Sequence, residues 1–168
     1  DTSTLQDDIF NMVLDWLASG IDPSKCVVFV QSHVPEVTEL HTILSMLTPL
    51  SWLYRVPTFK EKVKQQPENV NYGLLGYPVL MTADIILYKG EVVPVGEDQL
   101  PHVELAREIV RRFNARFGDV FPEPVAKLTE FPKIVGLDGT DKMSKSADNH
   151  LEIAASPEDI RKRGRCLH

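Results

Sequence analysis

The sequence has few cysteines and no long apolar run. Cys26 and Cys166 are the only cysteines in 168 residues, and their spacing fits neither a metal site nor a disulfide framework. So little cysteine is typical of a protein from a reducing cytoplasm. No stretch approaches the roughly 18 apolar residues that a transmembrane helix needs. The first twenty residues also lack the basic-then-apolar pattern of a signal peptide. These absences argue against a secreted disulfide scaffold and a membrane span.

Positive charge is also scarce, since the formal net charge is -6. A chain of this charge has no global electrostatic attraction to nucleic acid, although a local basic patch can still bind a polyanion. Apolar residues make up 43% and charged residues 25%, which is ordinary for a globular protein. The length suffices for one domain with a true core.

Apolar periodicity and end signals predict several helices. The first is expected to have a Thr4–Asp7 capping pair and a Gly20 stop. Pro49 should divide the second into two, and Gly118 should end the longest. The last should begin with a Ser156–Asp159 capping box. The predicted helices are residues 4–20, 35–54, 77–90, 98–118 and 156–163.

Two β-branched runs predict strands, Lys25–Gln31 and Val92–Val95. Residues 57–71 are interpreted as a loop with at most one helical turn, 119–135 as irregular and 136–149 as a polar loop. Strands that alternate with helices are typical of a parallel α/β sheet.

The helix around Asp84 carries the first candidate site. Tyr77, Met81, Asp84 and Tyr88 are spaced so that they share one helix face. One interpretation is a core stripe with a solvated acid. The other is a pocket for a flat apolar ligand with one N–H, because a carboxylate in an apolar wall needs a donor.

The stretch VGEDQ places Gly96, Asp98 and Gln99 where a strand runs into a helix. Ligands of parallel α/β folds bind at this end of the strands, and glycine permits close backbone approach. Asp98 could accept hydrogen bonds from ribose hydroxyls, or it could only cap the helix.

The stretch DKMSKS places Lys142 and Lys145 around Met143 and Ser144 in a glycine-punctuated loop. Such a pair could bind an oligophosphate and stabilise charge on a leaving group. It could equally be solvated surface. The same two interpretations hold for Lys62 in FKEK.

Together, YPVLMTADIILY, VPVGEDQ and KMSKS closely resemble the bacterial tryptophanyl type of class I aminoacyl-tRNA synthetase, over about residues 5–163. KMSKS alone would indicate only the class. The other two segments distinguish the tryptophan enzymes from their tyrosine relatives. The resemblance implies a Rossmann-like parallel sheet with flanking helices, and it implies that residues 1–168 form part of one class I synthetase catalytic domain.

The resemblance also implies a role for each candidate residue. Asp84 would accept the indole N–H, Met81 would pack on the ring, and Tyr77 with Gln99 would hold the α-amino group. The ATP contacts would begin with Gly96, Glu97 and Asp98 on the ribose side. The KIVGLDG stretch, residues 133–139 and especially Ile134, would be the adenine segment. The triphosphate contacts would be Lys142, Met143, Ser144, Lys145 and Ser146, with Lys62 at the pyrophosphate.

The implied reaction is attack of the tryptophan carboxylate on the α-phosphate of ATP, followed by transfer to tRNA(Trp). Mg²⁺ would arrive with the ATP, no protein nucleophile would be needed, and the protein would work as a homodimer.

Three family features are absent from the sequence: the HIGH motif, the helical anticodon-binding domain and a family-like end, since the chain ends GRCLH. The two central strands of the sheet are expected to be missing with the HIGH motif. One hypothesis is therefore that the chain is a piece of a synthetase. Alone it would be inactive or very weak, because catalysis that depends on the positions of the reacting groups tolerates little displacement. The alternative is a non-catalytic tryptophan-binding or dimerisation module.

Overall fold

The computed structural model describes residues 2–130, 134–139, 143–145 and 148–164. The chain divides into two compact units. The larger unit is Gln31–Pro132, and the smaller unit combines Asp1–Val30 with Lys133–His168.

The described part of the larger unit has five α-helices: α2 (Glu36–Ser45), α3 (Leu50–Arg55), α4 (Pro57–Gln65), α5 (Tyr72–Ile86) and α6 (Leu100–Phe117). As predicted, Pro49 separates two helices and Gly118 ends the longest. The side chain of Asn71 accepts a hydrogen bond from the backbone N–H of Leu74 at 2.9 Å and thereby starts α5 at Tyr72, five residues earlier than predicted.

The core of the larger unit surrounds α5, which packs against both α2 and α6. Each of these helices contributes side chains that are at most 1% exposed, including Leu44, Ile86 and Ile109. Burial of an aliphatic side chain stabilises a fold by about 1.5–3 kcal/mol. This packing makes α5 a fixed platform for its remaining side chains.

The sheet consists of two parallel strands, β1 (Val92–Pro94) and β2 (Val125–Lys127). Val92 pairs with Val125, and the backbone N–H of Val95 continues the pairing to the carbonyl of Lys127 at 3.1 Å. The predicted α/β class is confirmed, as is the strand before Gly96. The prediction of an irregular 119–135 is wrong, because β2 lies within it and is too short for a hydrophobic pattern to reveal.

Two other segments also differ from prediction. Residues 25–30 form no strand in the described part of the chain, and Gln31–His33 form a 3₁₀ turn. A strand needs a partner for its backbone, and Val27 is 85% exposed. The predicted loop at 57–71 instead contains the nine-residue helix α4, which begins with Pro57 in its first turn, where proline favours a helix start.

The smaller unit contains α1 (Leu5–Ala18) and α7 (Pro157–Gly164). The predicted Thr4–Asp7 cap is wrong, because the Thr4 hydroxyl donates to Asp8 at 2.9 Å. The predicted Ser156 cap is confirmed, because the Asp159 N–H donates to the Ser156 hydroxyl at 3.1 Å. Asp159 closes the pair by accepting from this hydroxyl at 2.5 Å, whereas a standard capping box uses the backbone N–H of the cap residue. No helix in the described residues is long and apolar enough to span a membrane.

Candidate functional site

Helix α5 carries three of the predicted tryptophan-side residues. Tyr77, Met81 and Asp84 all lie within it and are all half-buried, so the predicted helix face is present for these three. Tyr88 lies beyond the end of α5 and is 54% exposed. Its predicted place on that face is therefore wrong, because the helix stops at Ile86 and the chain turns through Lys89 at φ 54°.

The carboxylate of Asp84 has one hydrogen-bond donor from a distant part of the chain. The side-chain amide of Gln31 donates to Asp84 Oδ1 at 2.6 Å. Burial raises the pKa of Asp84 above its ordinary value, and the Gln31 hydrogen bond opposes that rise. Sequence reasoning missed Gln31 because it treated this residue only as the end of a strand. The available signal was that ligands of parallel α/β folds bind at the carboxyl ends of strands, and Gln31 is the last residue of the predicted strand.

Tyr77 belongs to a second buried polar cluster. Its hydroxyl lies 3.1 Å from His102 Nε2, and the two rings meet edge to face with centroids 5.4 Å apart. The Thr58 hydroxyl lies 3.3 Å from the same nitrogen. His102 is 2% exposed, and this burial lowers its pKa while Asp98 opposes the change. Burial also raises the pKa of Tyr77.

Because the pKa of His102 is lowered and that of Tyr77 is raised, the imidazole is neutral and the phenol is protonated at neutral pH. Sequence reasoning missed His102, which lies in the first turn of α6. The signal was a polar residue at a position where the apolar pattern of α6 requires a buried side chain.

The GEDQ segment forms a 3₁₀ turn, Glu97–Gln99, that leads directly into α6. Gly96 precedes this turn in extended conformation, and Gln99 precedes α6. Neither residue makes a side-chain hydrogen bond that caps the start of the turn or of the helix. Asp98 is therefore not the helix cap that the alternative interpretation required. It accepts a hydrogen bond from the Gln99 amide at 2.9 Å, and both Glu97 and Asp98 are exposed.

The lysine loop lies in the smaller unit. The backbone N–H of Met143 donates to the carbonyl of Ile134 at 2.9 Å, so the predicted adenine and triphosphate segments are in contact. Lys145 is 83% exposed and lies 3.9 Å from Glu152. Ile134 is 62% exposed. The predicted ligands Lys142 and Ser146 lie outside the described residues.

Lys62 lies on the exposed side of α4 in the larger unit. Its surroundings fit either a solvated helix face or a phosphate ligand. Among the residues that the structure describes, no group of three or more His, Cys, Asp or Glu side chains is placed to hold a metal ion. Acidic and basic groups are thus available for a nucleotide, and an apolar helix face with one carboxylate is available for an aromatic ligand.

Comparison with known proteins gives consistent matches. The model of the class I tRNA synthetases for tryptophan and tyrosine (W and Y) matches residues 1–165. A tryptophan–tRNA ligase of Deinococcus radiodurans is 50% identical over 161 residues, which are 95% of this chain and 48% of the relative. The corresponding ligase of Thermotoga maritima is 49% identical over 166 residues, or 95% and 49% of the two chains.

A solved structure shows the same similarity in three dimensions. The tryptophanyl-tRNA synthetase of Campylobacter jejuni, in complex with ADP and tryptophan, superposes with a TM-score of 0.87 at 40% identity. The match covers 100% of this chain and 52% of that one. The chain therefore spans about half the length of the relatives that it matches.

Proposed function

Because the chain belongs to the class I tRNA synthetases for tryptophan and tyrosine, we propose that it takes part in activating tryptophan with ATP and in charging tRNA(Trp). It contributes the tryptophan pocket, the ribose-side turn and the phosphate loop. The proposed setting is the cytoplasm, and the proposed working form is a homodimer.

The observation that carries this proposal is the environment of Asp84. Its carboxylate lies half-buried on an apolar helix, and Gln31 occupies only one direction around it, at Oδ1. A ligand that brings its own N–H to this carboxylate regains the hydrogen bond that burial removes from water. The indole N–H of tryptophan is such a donor. Phenylalanine has none, so its binding leaves the part of the carboxylate that Gln31 does not occupy without a donor.

The other tryptophan contacts follow from the same helix and its neighbour. Met81 lies one turn before Asp84, at the spacing that lets a thioether lie against the indole ring. Tyr77 lies one turn earlier and, with Gln99, holds the α-amino group. The phenol oxygen accepts a hydrogen bond from the ammonium, and the side-chain carbonyl of Gln99 does the same.

We assign the nucleotide contacts to four segments of the chain. Gly96, Glu97 and Asp98 serve the ribose side, where exposed carboxylates accept hydrogen bonds from vicinal hydroxyls. Ile134 lies along the adenine, and residues 142–146 lie along the triphosphate. Lys62 assists at the pyrophosphate. Mg²⁺ enters bound to the ATP phosphates and is part of that substrate.

The reaction then depends on the relative positions of the substrates and on stabilisation of the developing charge, and it needs no protein nucleophile. The tryptophan carboxylate attacks the α-phosphorus, the bond to the bridging oxygen breaks, and pyrophosphate leaves with the electron pair. Lys142 and Lys145 act by stabilising the charge that grows on the leaving group. A hydroxyl of the terminal ribose of tRNA then attacks the aminoacyl carbonyl of the adenylate, and AMP leaves as the ester forms.

Tryptophan-dependent exchange of pyrophosphate into ATP tests this proposal. The complete product of the gene that encodes this chain should catalyse exchange with tryptophan and not with phenylalanine or tyrosine. The 168-residue chain alone should show little or none. Tryptophan binding without any exchange by the complete product would instead identify a non-catalytic binding module.

A further inference from the structure

One buried amide side chain joins the predicted adenine segment to the predicted phosphate loop. Asn149 is 5% exposed, although it lies in an otherwise polar and largely exposed stretch. Its side-chain oxygen accepts a hydrogen bond from the backbone N–H of Ser144 at 2.8 Å. Its side-chain nitrogen faces the Asp138 carboxylate at 3.3 and 3.4 Å.

The backbone of Asn149 contacts the same turn. Its carbonyl accepts a hydrogen bond from the N–H of Leu137 at 2.8 Å. The side chain also covers Gly136 so closely that a Cβ placed there would lie 2.1 Å from Asn149 Nδ2. The turn at 136–138 and residue 149 therefore fit together without space for a larger residue at Gly136.

Only an amide satisfies both sides of this arrangement. The Ser144 N–H requires an acceptor, and the Asp138 carboxylate requires a donor. An aspartate at 149 would keep the acceptor but would place two carboxylates against each other. An aliphatic residue in this buried position would remove the acceptor of the Ser144 N–H and the donor to Asp138, and the loss of such hydrogen bonds is costly.

We propose that Asn149 is a positioning residue for ATP activation: it fixes Ser144, within the predicted phosphate loop, against the predicted adenine segment. This inference rests on the proposed function. Asn149 itself touches no reacting atom. It determines where the loop backbone lies when the phosphates bind, and a displacement of about 1 Å can reduce a rate on the order of a hundredfold.

Exchanging the two side chains provides the test. In the complete gene product, Asn149→Asp should lower kcat for pyrophosphate exchange by about tenfold or more, because a buried carboxylate at position 149 then faces the carboxylate of Asp138. The KM for tryptophan should stay within about twofold, since the pocket residues lie in the other unit. Asn149→Asp combined with Asp138→Asn restores one donor and one carboxylate, so kcat should recover to near that of Asp138→Asn alone.

A matched control is available in the larger unit. Asn114 binds the segment that follows α6 through its side chain, which accepts from the Val120 and Phe121 N–H groups and donates to the Phe121 carbonyl. Asn114→Asp makes the same chemical change at another loop-binding asparagine, and it should leave kcat unchanged. Should Asn149→Asp fail to fold, Asn149→Ser removes the long acceptor with less disturbance and should show the same loss of kcat.

Amide hydrogen exchange gives a readout that is independent of activity. In the 168-residue chain, the Ser144 N–H should exchange at least about tenfold faster in Asn149→Asp, and the double variant should restore its protection. Two outcomes would overturn the positioning role alone. In the first, the wild type is active and Asn149→Asp leaves its kcat unchanged. In the second, Asn149→Asp lowers kcat equally with and without Asp138→Asn. Absence of exchange activity in the wild type would instead overturn the proposed function.

Discussion

Asp84 and Lys145 represent two regions that present their functional groups in opposite ways. Asp84 projects from a helix packed on both sides, is half-buried, and has its pKa raised by that burial. Lys145 lies on a loop of the smaller unit and is 83% exposed. The first region suits recognition, because a buried acceptor penalises every ligand that lacks a donor. The second suits charge stabilisation, which needs a cation near the phosphates but no closed pocket.

Stability gives the largest expected contrast between the regions. Ile86→Ala should lower the free energy of unfolding by about 2–5 kcal/mol, because Ile86 is 0% exposed at the centre of the larger unit. Ile153→Ala makes the same substitution in the smaller unit, where Ile153 is 78% exposed, and should stay within about 0.5 kcal/mol. Urea denaturation measures both. Equal losses would show that the smaller unit depends on its own apolar packing to the same extent.

The next contrast concerns catalysis. In the complete gene product, Lys142→Ala and Lys145→Ala should each lower kcat for adenylate formation about a hundredfold or more, with little change in tryptophan affinity, because their contacts strengthen as pyrophosphate leaves. Lys25→Ala is the control for Lys145, since Lys25 is similarly exposed, at 81%, and is paired with Asp22 at 3.3 Å. A loss of tryptophan affinity with kcat intact would remove the phosphate role.

Specificity is expected to change at the other region. Asp84→Ala should raise the KM for tryptophan and weaken rejection of phenylalanine, a loss of about 1–3 kcal/mol of discrimination for one buried partner. Asp119→Ala, at an exposed carboxylate, should change neither. Unchanged discrimination between tryptophan and phenylalanine in Asp84→Ala would show that the indole N–H binds elsewhere.

The smallest expected effect is a dependence of stability on pH. The folded pKa of His102 lies below its ordinary value of 6.5, so the unfolded chain takes up the proton first. The stability that His102 contributes is complete above about pH 6.5 and is lost as the pH falls through the folded pKa. His102→Gln should therefore flatten the decline of unfolding free energy below about pH 6.5. An unchanged slope would mean that His102 does not titrate differently in the folded chain.

Local sequence determined where most helices begin and end. Pro49, Gly118 and the Ser156–Asp159 pair each act through the backbone of their own turn, so their effects are visible without knowledge of the rest of the chain. The face of α5 that carries Tyr77, Met81 and Asp84 follows in the same way from helical spacing.

Local signals failed wherever a distant partner was required. Residues 25–30 have the composition of a buried strand, but no described segment pairs with them, and composition alone does not supply a hydrogen-bonded ladder. Conversely, Val125–Lys127 is a strand because β1 lies beside it and not because of its own pattern.

The sequence by itself therefore determined most of the described helices, though not α4, and the α/β class, and it supplied the candidate binding residues. Only the tertiary structure decided their partners: Gln31 on Asp84 from 53 residues away, His102 on Tyr77 from 25, and Asn149 on Asp138 from 11. Propensity and capping act within a few residues, whereas burial and the hydrogen bonds that compensate for it depend on which segments pack together.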